Sequence, residues 1–315
     1  MSVSLAQLDL VVAEARPVAE GVVLLELTSP RGAELLAWRP GAHLDVVVQP
    51  GVERQYSLCG DPADRSRYRI AVLREPDGRG GSAHLHDHVR AGSTLRVKGP
   101  LNHFELDAAP AYRFVAGGIG ITPILPMIRA AEAASTPWTL DYAGRSRATM
   151  AFVDELVEAY GSRVAVHAAD EGARLDVVAL DPAGAHVYGC GPARMIEALE
   201  ARAASWPPHT LHVERFEARA VTEPVYHEAF EVELELSGIT VTVPPEKSIL
   251  DVVEEQGVFA LWSCREGTCG TCETPVVEGE VDHRDSVLTP EEQDANEVMM
   301  ICVSRAACPR LVLEL

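Results

Sequence analysis

The sequence predicts a multidomain chain: an antiparallel barrel or sandwich, then an α/β unit around a parallel sheet, then a small α+β module. Three textures carry that reading. Up to about residue 105, short alternating apolar runs at 22–27, 43–48 and 68–73 are separated by Gly, Pro and Asp clusters, as half-buried antiparallel strands require. From about 110 to 218, buried-type strand segments alternate with amphipathic helical ones, a pattern that implies a parallel sheet with covered faces. From 230 on, a hairpin, a helix and a cysteine-rich loop follow one another.

In the middle texture the strands are expected at 112–116, 139–142, 164–168 and 186–188, with helices at 123–134, 149–160 and 193–204. The stretch EARAVTEPVYHE lacks periodicity and a large apolar face, and reads as a linker. In the last module 230–236 alternates cleanly, and 239–243 answers it across Ser237-Gly238 as a hairpin. A helix is expected near 249–256. In TPEEQ, Thr289 is the N-cap, Pro290 the first helical residue and Glu292 the capping-box partner of a short helix ending near Asn296. The resulting boundaries are 1–105, 106–220, a linker 221–229, and 230–315.

With 315 residues the chain can bury two or three cores. A net charge of −20 with only Lys98 and Lys247 as lysines leaves no basic face for nucleic acid. No run approaches the roughly 18 apolar residues of a membrane span. The first residues lack the basic region and cleavage site of a secretory signal, so a cytoplasmic, reducing location is expected, where seven cysteines serve as ligands or core residues. The charge is uneven: 226–315 holds 19 Asp and Glu against 5 Lys and Arg. This acidic end suits steering toward a basic partner surface or simple solubility.

Cys264, Cys269, Cys272 and Cys302 give C-x4-C-x2-C-x29-C, the plant-type 2Fe-2S spacing. One loop must wrap a cluster so that three thiolates reach iron, and Gly267 and Gly270 allow the unusual dihedrals that this needs. Zinc ribbons usually pair two C-x2-C knuckles, and this chain has one. Cys308 and Cys59 stand outside the pattern; Cys308 is read as a small buried residue.

Upstream, AGGIGITP runs strand, glycine turn, helix, with Gly117, Gly118 and Gly120 in the turn and Thr122 and Pro123 opening the helix. Such a helix start suits a pyrophosphate, although Pro123 replaces the third glycine of the dinucleotide fingerprint. YAGRSR, with Arg145, Ser146 and Arg147, and VYGCGP, with Cys190, Gly191 and Pro192, also leave strand ends, where open α/β sheets bind ligands. In ERQYSLCGDP a planar ring can lie against Tyr56 while Arg54 holds a phosphate. GRGGSAHLHDHV offers Gly80, Gly81 and Ser82 as a second cradle at a helix start. His84 and His88 share a helical face in that segment, but a third metal ligand is lacking.

Together RQYSLC, GRGGS, GPLNHFEL, GGIGITP and YGCGP resemble the phthalate dioxygenase reductase family, within the wider ferredoxin-NAD(P) reductase-like group, over essentially the whole chain. The resemblance implies an antiparallel β-barrel flavin domain, an α/β Rossmann-like nicotinamide domain and an α+β β-grasp plant-type ferredoxin domain. It implies FMN held by Arg54, Tyr56, Ser57, Val72, Gly80, Gly81 and Ser82. It implies NADH contacted by Gly118, Thr122, Arg145, Ser146, Cys190, Gly191 and Pro192, with Ser57, Thr122 and Cys190 as the catalytic positions. Leu101 departs from the family, where a basic residue often precedes the asparagine, which puts a polar interdomain contact there in question. Arg145 and Arg147 are also able to hold a 2′-phosphate, so the residues leave NADPH open.

The activity so implied is hydride transfer from NADH to FMN, then single electrons through the 2Fe-2S cluster to a terminal oxygenase, of the Rieske non-haem iron type, by a monomer. Alternatives are a haem monooxygenase or another acceptor as partner, and a non-enzymatic iron–sulfur redox sensor. The oxygenase's substrate never touches this chain and is not written in it.

Overall fold

The computed structural model describes residues 7–49, 52–76, 78, 80–219 and 223–315. They form two compact units, 1–214 and 215–315.

The first unit begins with a six-stranded antiparallel sheet: β1 (Gln7–Ala19), β2 (Val22–Thr28), β3 (His43–Gln49), β4 (Val52–Ser57), β5 (Arg67–Leu73) and, after helix α1 (Gly81–His88), β6 (Thr94–Leu101). The order is β4-β3-β6-β1-β2-β5. A bridge between Leu58 and Ile70 joins the outer strands β4 and β5, so the sheet closes into a barrel and the sandwich is set aside. Closure removes the exposed edges that an open sheet would leave. Alternate residues such as Leu10, Val12, Leu44 and Val46 fill the interior.

The rest of this unit is β7 (Tyr112–Gly117), α2 (Ile121–Ala133), β8 (Trp138–Gly144), α3 (Val153–Tyr160), β9 (Val164–Ala168), β10 (His186–Cys190), α4 (Ala193–Ala203) and β11 (Leu211–Glu214). Its five strands are parallel, in the order β11-β10-β7-β8-β9. Strand β2 explains why barrel and α/β half form one unit. Leu25 and Leu27 point into the barrel, whereas Val22 and Leu24 on its other face join the core of Phe114, Ile124 and Tyr142. A strand buried on both faces reads as a continuous apolar run, as VVLLEL does.

The second unit contains β12 (Phe230–Leu234), β13 (Ile239–Val243), α5 (Ile249–Glu255), β14 (Glu273–Glu278), β15 (Val281–Asp282), α6 (Pro290–Ala295), β16 (Val298–Met300), β17 (Arg305–Ala306) and β18 (Arg310–Leu313). Its main sheet runs β13-β12-β18-β14-β16, and β12 lies parallel to β18, so the first and last strands of the unit are neighbours. β15 and β17 form a separate two-stranded ribbon.

Several expectations shift. The helix expected at 149–160 begins only at Val153, because Phe152 adopts a left-handed φ of 61° and 147–149 form a 3-10 turn. Strand β12 stops at Leu234, where the Gly238 N–H closes a wider loop onto the Leu234 carbonyl at 2.8 Å, instead of a two-residue turn. The Thr289 capping box forms as expected, with Glu292 N–H donating to the threonine hydroxyl at 3.2 Å and Asn296 closing the helix at φ 54°. Part of the expected linker, 221–222, lies outside the described residues. Arg219 and Val225, on either side and themselves in the second unit, donate backbone N–H groups to the Ser286 hydroxyl and the Asp282 carboxylate. Among the described residues no helix is long and apolar enough to cross a membrane.

Candidate functional site

Cys264, Cys269 and Cys272 lie on the loop between α5 and β14, and Cys302 on the turn after β16. All are free thiols, and all except half-exposed Cys264 are buried. Their sulfurs touch: Cys264 interacts with Cys269 and Cys302, and Cys272 with Cys302. The backbone N–H groups of Glu266 and Thr268 point at Cys264 Sγ, at 3.3 and 3.4 Å. Within this set the hydrogen bonds from Cys269 and Cys302 hold the Cys264 thiol below the ordinary range, and Cys269 and Cys302, as the donors, are pushed up. Four converging thiols with amides aimed at sulfur fit an iron–sulfur cluster held by four cysteines.

The loop keeps this shape through strain absorbed elsewhere. Gly267 has φ +68°, and a side chain there would meet Val303 Cγ2 at 2.5 Å and Asp285 Cα at 3.0 Å. Non-glycine Arg265 has φ 58°. Its guanidinium stacks on Trp262, 4.0 Å from the ring centroid, and pairs with Asp251 at 2.8 Å and with Glu254. The loop's second wall is 282–286, which sequence reasoning missed. The Ser286 N–H donates to the Gly267 carbonyl at 2.7 Å, while buried Asp285 accepts from Val287 and Leu288 N–H groups at 3.0 and 2.8 Å.

In the first unit, β7 runs into the turn 118–120 and directly into α2, which starts at Ile121 and so includes Thr122 in its first turn. The Thr122 hydroxyl donates to the Ile119 carbonyl at 3.0 Å, and buried Tyr142 donates to the carbonyls of Gly118 and Ala151 at 3.1 and 3.0 Å. The ends of β7 and β10 press together here. A Cβ on Gly120 would stand 2.2 Å from the Cys190 carbonyl oxygen. We therefore expect Gly120→Ala to force the two strand ends apart, destabilising this unit by about 1–3 kcal/mol; thermal melts would detect it. Ser146 opens the short turn after β8, and the Arg145 carbonyl accepts from Asp170 N–H at 3.0 Å. Arg147 pairs with Asp154 at 2.8 Å and Glu171 at 3.7 Å.

On the barrel, Arg54, Tyr56 and Ser57 follow one another on β4, and Val72 lies buried on β5. The Arg54 side chain crosses the start of α1, since a Cβ on Gly81 would meet its Cγ at 2.9 Å. Gly80 caps that helix at φ +81°, and Ser82 Oγ accepts from Glu75 N–H at 3.0 Å. This is a glycine-walled helix start with a guanidinium over it, which fits a phosphate. Burial raises the Tyr56 phenol, so the ring stays neutral. The histidines of α1 diverge: His84 and His88 rings stand 4.7 Å apart, but His86 turns to the Val72 carbonyl at 2.9 Å.

Glu214, which the sequence reading did not single out, joins the flavin and nucleotide candidates. At the end of β11 it pairs in register with Cys190. Cys190 Sγ lies 3.9 Å from its Oε2, and the Ser57 hydroxyl also donates to its carboxyl. Glu214 keeps part of its surface accessible, yet desolvation by the surrounding protein raises its pKa to about 8 against the two hydrogen bonds. Burial, reinforced by Glu214, pushes the Cys190 thiol well up, so it is a neutral S–H donor and not a nucleophile. Only the position of a lone glutamate at a strand end hinted at this role.

Residues 232–307 match the model of the 2Fe-2S iron-sulfur cluster binding domain, and 9–106 that of the oxidoreductase FAD-binding domain. The chain is 43% identical over 309 residues to the phthalate 4,5-dioxygenase oxygenase reductase subunit of Pseudomonas putida, covering 95% of this chain and 94% of that one. The solved structure of a phthalate dioxygenase reductase is 38% identical, with a TM-score of 0.70 over 98% of both chains. An intact type IV self-sufficient cytochrome P450 monooxygenase is 44% identical, with a TM-score of 0.91 over 98% of this chain; the present chain spans 41% of its length.

Proposed function

The chain belongs to the phthalate dioxygenase reductase family, and from that premise we propose that it is the NADH-dependent reductase component of a multicomponent oxygenase. The observation that carries the reading is the four-cysteine cluster with amides aimed at Cys264 sulfur, in one chain with the Ser57, Glu214 and Cys190 cluster.

When bound, FMN would supply hydride acceptance from NADH and one-electron release, and a 2Fe-2S cluster would supply one-electron relay. The protein's work is positioning. Arg54, Gly80, Gly81 and Ser82 hold the flavin phosphate; Tyr56, Ser57 and Val72 line its ring. Gly118, Thr122, Arg145, Ser146, Gly191 and Pro192 hold the dinucleotide. Ser57, Thr122 and Cys190 bound the reacting side, where Glu214 ties the Ser57 hydroxyl and the Cys190 thiol to one carboxyl. Cys264, Cys269, Cys272 and Cys302 ligate the irons. The domains are 1–105, 106–220 and 230–315, the last two joined by 221–229.

NADH is favoured over NADPH because Arg147 is already paired with Asp154 and Glu171, which leaves Arg145 as the one guanidinium of the pair to meet a 2′-phosphate. The partner is a Rieske-type oxygenase in the cytoplasm, served by a monomer. A haem monooxygenase is the second reading, favoured by the likeness to the self-sufficient P450 chain.

Anaerobic titration with NADH, followed by absorbance and by mass analysis of the released flavin, tests the reading. Flavin and cluster bands are expected to bleach together, with FMN released and with NADH effective at far lower concentration than NADPH. A cluster band that stays unbleached while the flavin reduces would refute the relay.

A further inference from the structure

A cavity of about 250 Å³ opens in the first unit where β1, β2 and β5 face helices α2 and α3. None of its lining residues takes part in the flavin, nucleotide or cluster assignments. Its floor is apolar: Leu24 on β2 and Leu125 and Ile128 on α2 are buried. Phe152 and Tyr160 bring two aromatic rings from the α3 side.

The rim is basic. Arg16, Arg69 and Arg129 converge on it from three different elements, in a chain of net charge −20. The carboxylates nearby do not saturate them. Glu26 pairs with Arg69 at 2.6 Å but is shared with Arg67 at 2.7 Å, and Arg16 meets Glu14 only at 3.4 Å. Glu155 is the one acidic residue in the lining itself. Cys59 marks the convergence: burial pushes its thiol up to about 12, with Arg69 and Arg129 both near enough to oppose that rise. The thiol is itself engaged, donating to the Arg69 carbonyl at 3.4 Å.

We propose that this cavity is a binding site for a small organic acid with a flat apolar body, its carboxylate held by Arg16, Arg69 and Arg129 and its ring on the Leu24, Leu125 and Ile128 floor. The volume falls below that of drug-sized pockets and far below a dinucleotide. Guanidinium forks match a carboxylate in two-point contact. A bare inorganic anion would leave the half-buried Phe152 and Tyr160 rings uncovered, and a neutral aromatic would give Arg129 no charged partner.

Benzoate is the probe, added to the full-length, cofactor-loaded protein and followed by calorimetry and by ligand-detected saturation-transfer NMR. Saturable binding is expected, with benzamide at least about tenfold weaker for want of the charge-assisted contacts, and with inorganic phosphate unable to displace benzoate. Arg129→Gln should weaken binding about tenfold by the same loss. Ala159→Trp, at an exposed position in the lining, should fill the mouth and remove the signal. NADH-driven ferricyanide reduction in both variants reports that the fold is intact. No saturable benzoate binding, binding that survives Ala159→Trp, or displacement by phosphate would each overturn the proposal.

Discussion

On the proposed relay, we expect Cys302→Ser to abolish the iron–sulfur absorbance and NADH-driven reduction of cytochrome c, while NADH-driven reduction of ferricyanide, which can draw on the flavin, should persist. The reason lies in where Cys302 comes from. Three of the thiols sit on one loop, but Cys302 approaches on the turn after β16, from the side that the loop cannot cover, and touches Cys264 and Cys272. Serine places a harder, far less acidic oxygen where a soft thiolate is required. Iron content, the visible spectrum and the two acceptor assays check the outcome. Cys308→Ser is the matched control. That sulfur accepts from Glu280 N–H at 3.2 Å and donates to the Arg310 carbonyl at 3.0 Å, away from the four ligands, so its cluster should remain. A cluster that survived Cys302→Ser and vanished with Cys308→Ser would show the ligand set to be wrong.

Glu214→Gln separates the two things that this carboxyl does. The folded pKa of about 8 lies above the ordinary value of 4.5, so the folded protein holds a proton that the unfolded chain releases. Below pH 4.5 both states are protonated and the residue is neutral in its effect. As pH rises from 4.5 to 8 the unfolded state ionises first, and folding stability falls through that window. Glutamine keeps the hydrogen-bonding shape without the charge. The variant should therefore match the parent near pH 5 and exceed it at pH 8 by about 2 kcal/mol, allowing for the partial exposure of the site. Melts of the flavin-free protein across that pH range measure this. Stability that rose equally at both pH values would contradict a raised carboxyl pKa. Glutamine also removes the one titrating group that joins Ser57 to Cys190, so we expect the pH dependence of flavin reduction by NADH to flatten between pH 7 and 9 in stopped-flow traces, with NADH binding little changed.

The legible parts of this protein are those in which local chemistry is tied to short spacing. The alternation at 43–48 and 68–73 gave barrel strands, and the TPEEQ capping box set the start of α6 to the residue. Phe152 shows where local reading stops. Its left-handed backbone delays α3, and no propensity favours that conformation in phenylalanine; the fold imposes it. The hairpin turn failed for a similar reason. The Glu235 and Ser237 N–H groups bind Leu313 and Leu315, so pairing with the far end of the chain, and not the Ser237-Gly238 pair, decides where β12 ends.

By itself the sequence determined the four-cysteine spacing, the glycine turn after β7 and the RQYS strand, because each is a contiguous motif whose geometry follows from its own residues. Only the tertiary structure decided which distant groups complete them. Glu214 meets Ser57 and Cys190 because β11 lies beside β10 in the parallel sheet and the α/β half packs on the barrel through β2. Ser286 bonds Gly267, and Asp285 packs against it, because the chain folds back between β15 and α6. The basic-rimmed cavity draws its walls from five elements spread between Arg16 and Tyr160. Such contacts depend on side chains far apart in sequence, and no local periodicity encodes them.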